Sequence, residues 1–134
     1  MPDGFYEWKK LDPKGKEKQP YAISMTGDAQ MVMAGLWAKW KSPGGEEIQS
    51  CTILTCGPNN VVGELHNRMP VILAQGDWLK WLGEEPATED DLFAMLKPCP
   101  DEVLKIWPVD EKVGSVKNKG RELIEPLALI LERA

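Results

Sequence analysis

Gly4-Phe5-Tyr6-Glu7-Trp8-Lys9-Lys10, followed at once by Asp12-Pro13-Lys14-Gly15, decides how this chain folds. Phe5 to Lys10 is rich in aromatics and reads as a short strand. Asp, Pro and Gly in close succession are turn chemistry, because proline presets φ and glycine accepts a positive φ. The chain therefore doubles back into a second strand near Tyr21 to Met25. The pattern recurs downstream. Leu36, Ala38 and Trp40 alternate with Trp37, Lys39 and Lys41, and this period of two predicts a half-buried strand. Pro43-Gly44-Gly45 turns it into Ile48 to Thr55, rich in β-branched residues. Met69 to Leu73 and Val103 to Trp107 read as two more strands.

Short helices fill the gaps. Asn59 or Asn60 caps a helical turn that carries Val61, Val62 and Leu65 and ends near His66. Asp77 caps a short helix holding Trp78, Leu79, Trp81 and Leu82, with Lys80 outside. Thr88-Glu89-Asp90-Asp91 opens another, with Leu92, Met95 and Leu96 on its buried side, and Pro98 and Pro100 stop it. Local hairpins and small helices without βαβ alternation predict an α+β fold. Its core is expected to be compact, mixed and barrel-like, built of short and mostly antiparallel strands. Of the six tryptophans, Trp37, Trp78 and Trp81 are expected inside. Trp8, next to Glu7, and Trp40, between lysines, are candidates for a stacking surface.

The bulk numbers exclude several classes. At 134 residues the chain fits one domain, and 43% hydrophobic with 28% charged residues is ordinary globular composition. No apolar run reaches the length of a membrane span, the longest near the end being Pro126 to Leu131. Met1-Pro2-Asp3-Gly4 lacks the basic and apolar regions of a secretory signal. Cys51, Cys56 and Cys99 are odd in number and form no Cys-x-x-Cys pair, which fits reduced thiols in the cytoplasm. A net charge of −5 argues against a generic polyanion binder. Lys9, Lys10, Lys14, Lys16 and Lys18 nevertheless cluster around the first hairpin, and Lys112, Lys117, Lys119 and Arg121 gather late in the chain.

Two residues stand out as proton-transfer candidates. Glu7 lies among Phe5, Tyr6 and Trp8, and poor solvation is what brings carboxyl groups into the range where they give and take protons. His66 is the chain's one histidine, and an imidazole ordinarily titrates near neutrality. The competing reading is an edge-strand glutamate and a structural histidine. A single histidine makes a zinc site improbable, and no metal or cofactor is expected.

Gly4-Phe5-Tyr6-Glu7-Trp8, Thr52-Ile53-Leu54-Thr55, His66-Asn67-Arg68-Met69-Pro70 and Val113-Gly114-Ser115-Val116-Lys117-Asn118, in this order, resemble the SRAP family. These are the SOS-response-associated peptidases, understood as abasic-site processing proteins, and the resemblance runs from about Asp3 to about Pro126. It implies binding of single-stranded DNA and capture of the ring-opened aldehyde of an abasic site. The captor in the family is an N-terminal cysteine, whose amine and thiol close a thiazolidine. By the same resemblance Glu7 handles protons during imine formation, and His66 assists sugar ring-opening and crosslink reversal. Arg68 matches a phosphate contact, Thr55 and Trp8 line the DNA channel, and Lys117 and Asn118 are implied as further DNA contacts. The implied setting is the DNA damage response in the cytoplasm, nucleoid-associated when bound, with lyase and self-processing protease or hydrolase chemistry.

The chain also departs from the family pattern. The Gly-Phe-Tyr-Glu-Trp string begins at Gly4, whereas the family places it after a Met-Cys-Gly-Arg strand. Residues 1–134 are therefore expected to be a single, N-terminally truncated SRAP-like domain, its larger C-terminal part, with a separate or missing N-terminal segment. The internal cysteines lack the free α-amine that a thiazolidine requires. Crosslinking by the chain alone is not expected. Alternatives are a non-catalytic single-stranded DNA-binding module, a gene remnant, or a peptidase limited to self-processing; against the last, no serine or cysteine sits in a nucleophile motif.

Overall fold

Strand β1 (Gly4–Lys10) and strand β2 (Lys18–Met25) form the first antiparallel hairpin of the computed structural model, which describes residues 4–127. The opening Met1-Pro2-Asp3 and the end of the apolar run after Leu127 lie outside the described residues. Gly4 stands opposite Ser24 and Lys10 opposite Lys18. The Asp12–Gly15 turn closes the hairpin: the Gly15 N–H donates to the Asp12 carbonyl at 3.1 Å, with Gly15 at φ +67°. The Asp12 carboxylate also accepts from the Glu17 N–H at 3.2 Å. Such a loop needs a residue tolerant of positive φ, and glycine supplies it.

The described residues gather into two units. The first comprises residues 4–31, 58–67 and 100–127. Here a strand at Leu104–Pro108 pairs antiparallel with the far edge of β2, so β2 lies in the middle of a three-stranded sheet. Adjacent residues of a strand point to opposite faces. Ala22 and Ile23 are each 1% exposed, so both faces of the sheet are covered at β2. Gln19 Nε2 donates to the Pro20 and Val109 carbonyls at 3.0 and 2.8 Å, tying the chain beyond the third strand back to β2. A one-turn helix, α1 (Asn60–Gly63), begins at Asn59, whose side chain accepts from the Val62 N–H at 2.9 Å. The Asp101 carboxylate holds Asn60 through its backbone N–H at 2.9 Å and its side-chain amide at 2.8 Å.

The second unit comprises residues 32–57 and 68–99. Its hairpin joins β3 (Gly35–Lys41) to β4 (Glu47–Ile53), with Ser42, Glu46 and Gly45 (φ +88°) making the turn. Strands β5 (Thr55–Cys56) and β6 (Met69–Pro70) form a second small ladder. Ala34, Val71 and Leu54 exchange backbone hydrogen bonds of 2.9 Å beside it. Ala34, Met69, Val71, Ile72 and Leu73 are buried and make this unit's core. Helix α2 (Trp78–Trp81) hangs on two indoles: Trp78 Nε1 donates to the Leu73 carbonyl and Trp81 Nε1 to the Gly35 carbonyl, both at 3.1 Å. Helix α3 (Glu89–Ala94) opens with a reciprocal capping box between Thr88 and Asp91. The Leu104–Pro108 strand is β7 in chain order.

The α+β class holds, with short antiparallel strands and a few short helices, and no closed barrel forms among the described residues. Several local expectations need correction. Asp77 stands at the start of α2 but makes no capping bond, because the preceding Gln75–Asp77 turn leaves it in a helical rather than an extended conformation. Only Met69 and Pro70 of the expected Met69–Leu73 strand pair in a ladder; Ile72 makes an isolated bridge with Met33. Val103 belongs to a turn, Asp101–Val103, before β7. Leu79 and Leu82 are exposed. Trp37, expected inside, is 70% exposed, and every residue of β3 and β4 is exposed. The two-residue pattern predicted a covered face, and among the described residues nothing covers it.

Candidate functional site

Glu7 sits mid-way along β1, half-buried, opposite Tyr21. Its strand neighbours divide between two faces. Phe5 shares the face of Glu7, together with Tyr21 and Ile23 on β2 and Ile106 and Pro108 on β7. Lys9 and its partner Gln19 fall on this face too, so the carboxylate lies between apolar residues on one side and a lysine on the other. One of its oxygens accepts a long 3.4 Å bond from the Trp8 N–H. Tyr6 and Trp8 belong to the other face, so adjacency in sequence does not put the Trp8 ring beside the Glu7 carboxylate.

Trp8 instead lines an open groove of about 610 Å³ with Leu11, Gly15, Lys16, Glu17, Lys18 and Glu111. Its ring edge lies 3.9 Å from where a Cβ on Gly114 would stand. An indole flanked by two lysines is a usable stacking platform, although two carboxylates share the groove and reduce its attraction for phosphates.

His66 is exposed just beyond α1, its N–H donating to the Val62 carbonyl at 3.0 Å. The helical turn capped by Asn59 is what delivers it there. Glu7, Trp8 and His66 all belong to the first unit, as do Lys117 and Asn118. These last two sit in a tight turn in which Asn118 Nδ2 donates to the Lys112 carbonyl at 3.0 Å. The Lys117 N–H reaches Ser115 Oγ at 3.3 Å. The Asn118 amide therefore organises its own loop.

Arg68 and Thr55 belong to the second unit, and there they meet. One guanidinium nitrogen of Arg68 donates to Thr55 Oγ1 at 2.6 Å and to the Thr55 carbonyl at 3.1 Å. These two hydrogen bonds help to fix the orientation of a long side chain. Next to Thr55, burial pushes the Cys56 thiol up from its ordinary value, with the positive charge of Arg68 partly opposing the rise. Cys56 is thereby kept protonated and a poor nucleophile. Cys51 is exposed and Cys99 buried. No group of three or more histidine, cysteine, aspartate or glutamate side chains among the described residues could hold a metal ion. No helix among them is long and apolar enough to cross a membrane.

Sequence reasoning missed two features. A Cβ at position 4 would run into the Ile23 carbonyl oxygen, so Gly4 permits the close approach that seats β1 on β2. The glycine heading the aromatic string was the available signal. The Arg68–Thr55 pairing had no such signal, since its partners lie 13 residues apart across two short strands.

The Gly4–Trp8 string thus lies on the first strand of an antiparallel sheet, and the His66–Pro70 string follows α1. The sequence profile of the SOS response associated peptidase (SRAP) family matches residues 1–116, and the chain belongs to that family. It is 39% identical over 123 residues to the abasic site processing protein YoqW of Bacillus subtilis, an alignment covering 92% of this chain and 54% of YoqW. It is 30% identical over 149 residues to the abasic site processing protein HMCES of Gallus gallus, covering 96% of this chain and 43% of that protein. A crystal structure of a Bacteroides thetaiotaomicron protein superposes with a TM-score of 0.79 at 25% identity, over 92% of this chain and 53% of the other. The chain thus spans about half the length of the curated relatives it matches.

Proposed function

We propose that this chain takes part in abasic-site processing on single-stranded DNA, with Glu7 and His66 as its proton-transfer groups. The observation that carries the reading is the similarity to YoqW across 92% of the chain, Glu7 and His66 lying inside the matched family segment. Capture of an aldehyde by an amine needs a proton taken from the attacking nitrogen and one given to the departing hydroxyl. A half-buried carboxylate and an exposed imidazole suit those two tasks. Trp8, Thr55, Arg68, Lys117 and Asn118 are the proposed DNA contacts, Arg68 acting through a guanidinium already oriented by Thr55. In this reading the chain works in the cytoplasm, on the nucleoid when bound.

Closing a thiazolidine needs a thiol and a free α-amine on one residue. Cys51, Cys56 and Cys99 are internal and have no such amine, so none of them is the captor. A second reading, a DNA-binding module without chemistry, draws support from the groove that pairs Trp8 with Lys16 and Lys18 on the face away from Glu7.

The two readings part on a chain extended by a family-like N-terminal segment beginning Met-Cys and incubated with an abasic oligonucleotide. Denaturing gels should show a heat-stable shifted band for the extended chain and none for the 134 residues alone. Glu7→Gln should slow the extended chain's crosslinking by about 10²–10⁴-fold while leaving DNA affinity intact. A variant that crosslinks at the parental rate would return Glu7 to a packing role.

A further inference from the structure

The β3–β4 hairpin is built like a strand pair with one face buried, yet among the described residues it has no cover. Its register places Leu36 opposite Thr52, Ala38 opposite Ser50 and Trp40 opposite Ile48. That face carries no charged residue. Lys39, Lys41 and Glu47 all fall on the opposite face, where Trp37 pairs with Cys51. Leu36 is 52% and Trp40 56% exposed. Single exposed apolar residues are ordinary, but a contiguous group of them on one sheet face marks an interaction surface. A lone two-stranded hairpin is also marginal in water and gains stability from further strands or a covering element.

We infer that the Leu36–Ala38–Trp40–Ile48 face seats additional polypeptide of the SRAP type, corresponding to the portion of the relatives' chains that has no counterpart in these 134 residues. Two observations select that occupant. The relatives and the solved Bacteroides structure each combine this region with roughly as much chain again. The face is uncharged, which suits an apolar strand or helix and not a phosphate backbone, whose binding depends on lysine and arginine. Both strands of the hairpin also present an outer edge without a ladder partner among the described residues, so an incoming strand can extend the sheet while its side chains cover the face. The inference is independent of any role in abasic-site chemistry.

The test co-expresses the 134-residue chain with the portion of Bacillus subtilis YoqW that lacks a counterpart in it, the latter carrying an affinity tag. The expected result is co-purification in equal amounts, with the backbone amides of residues 35–41 and 47–53 slowed in hydrogen exchange. The Leu36→Lys/Trp40→Lys double variant should lose about 30-fold or more in affinity. Both side chains are exposed, so its melting temperature should match the parent's. Lys39→Glu, on the other face, should bind within about threefold of the parent, as a peripheral charge does. No co-purification, or co-purification that leaves the hairpin amides unchanged, would overturn the inference. So would concentration-dependent self-association protecting the same amides, which would assign the face to a second copy. Quenching of Trp40 by an oligothymidylate, abolished in the double variant, would give it to nucleic acid instead.

Discussion

Two hairpins of nearly equal length in this molecule have opposite fates. The β1–β2 hairpin receives a third strand, β7, and its middle strand is closed to solvent on both faces at Ala22 and Ile23. The β3–β4 hairpin receives none among the described residues, and every residue of its two strands stays exposed. Both carry a period-two pattern and a glycine-assisted turn. Local sequence therefore sets where a hairpin forms and which face is apolar, whereas the cover for that face comes from chain elsewhere. In the first unit the middle strand of the sheet that holds Glu7 is covered. In the second, the apolar face of the hairpin waits for a partner.

The comparison breaks most easily by truncating equivalent apolar positions in the two hairpins. Ile23→Ala should cost about 2–5 kcal/mol, the range for emptying a packed site. Trp40→Ala, a larger truncation, should stay within about 0.5 kcal/mol, as surface changes do. Thermal melts of the two variants side by side check this, and similar losses would mean that the β3–β4 face is covered in solution. Gly4→Ala should cost about 1–3 kcal/mol, since the added methyl meets the Ile23 carbonyl and the strand must shift to admit it. Denaturant melts read that loss directly.

Outside its hairpin, the second unit leans on local devices, and these give smaller effects. Thr88→Ala removes the cap of α3 and should cost about 1 kcal/mol. The hydrogen bonds from the Thr88 backbone N–H and hydroxyl hold the Asp91 carboxyl below its ordinary value. A depressed carboxyl contributes stability above the unfolded value, and that contribution disappears as pH falls through the lowered one. The difference in stability between the parent and Thr88→Ala should therefore narrow on acidification below about pH 4. A gap unchanged down to pH 2 would contradict the assignment. The smallest effect is expected from Arg68→Ala, which should lower the salt slope of single-stranded DNA binding by about 0.7, the share of one phosphate contact. Fluorescence anisotropy across a salt series measures it, and an unchanged slope would leave Arg68 as no more than a brace for Thr55.

Much of the fold was legible because it rests on local chemistry. The Asp12–Gly15 turn and the Thr88–Asp91 box involve residues a few positions apart and stand where the sequence placed them, and of the two asparagines that could cap α1 it is Asn59 that does so. Trp37 was misread because burial is not a local property: its indole is as apolar as that of Trp78, but only Trp78 found a carbonyl and a core to join. Of the candidate site, Glu7 and His66 stood out in the sequence as residue types suited to proton transfer. The side of the strand was not legible. Strand alternation turns Trp8 away from Glu7, a consequence of geometry that adjacency in a string conceals.

Native-state hydrogen exchange on the 134-residue chain tests the contrast between the two hairpins most directly. Exchange of a covered strand requires global unfolding, whereas an uncovered hairpin opens locally at lower cost. The hydrogen-bonded amides of β2 around Ala22 and Ile23 should exchange at least about 100-fold more slowly than those of β3 and β4, a gap of roughly 2.7 kcal/mol. Equal protection in the two hairpins would show that β3–β4 is already complete and would contradict the account.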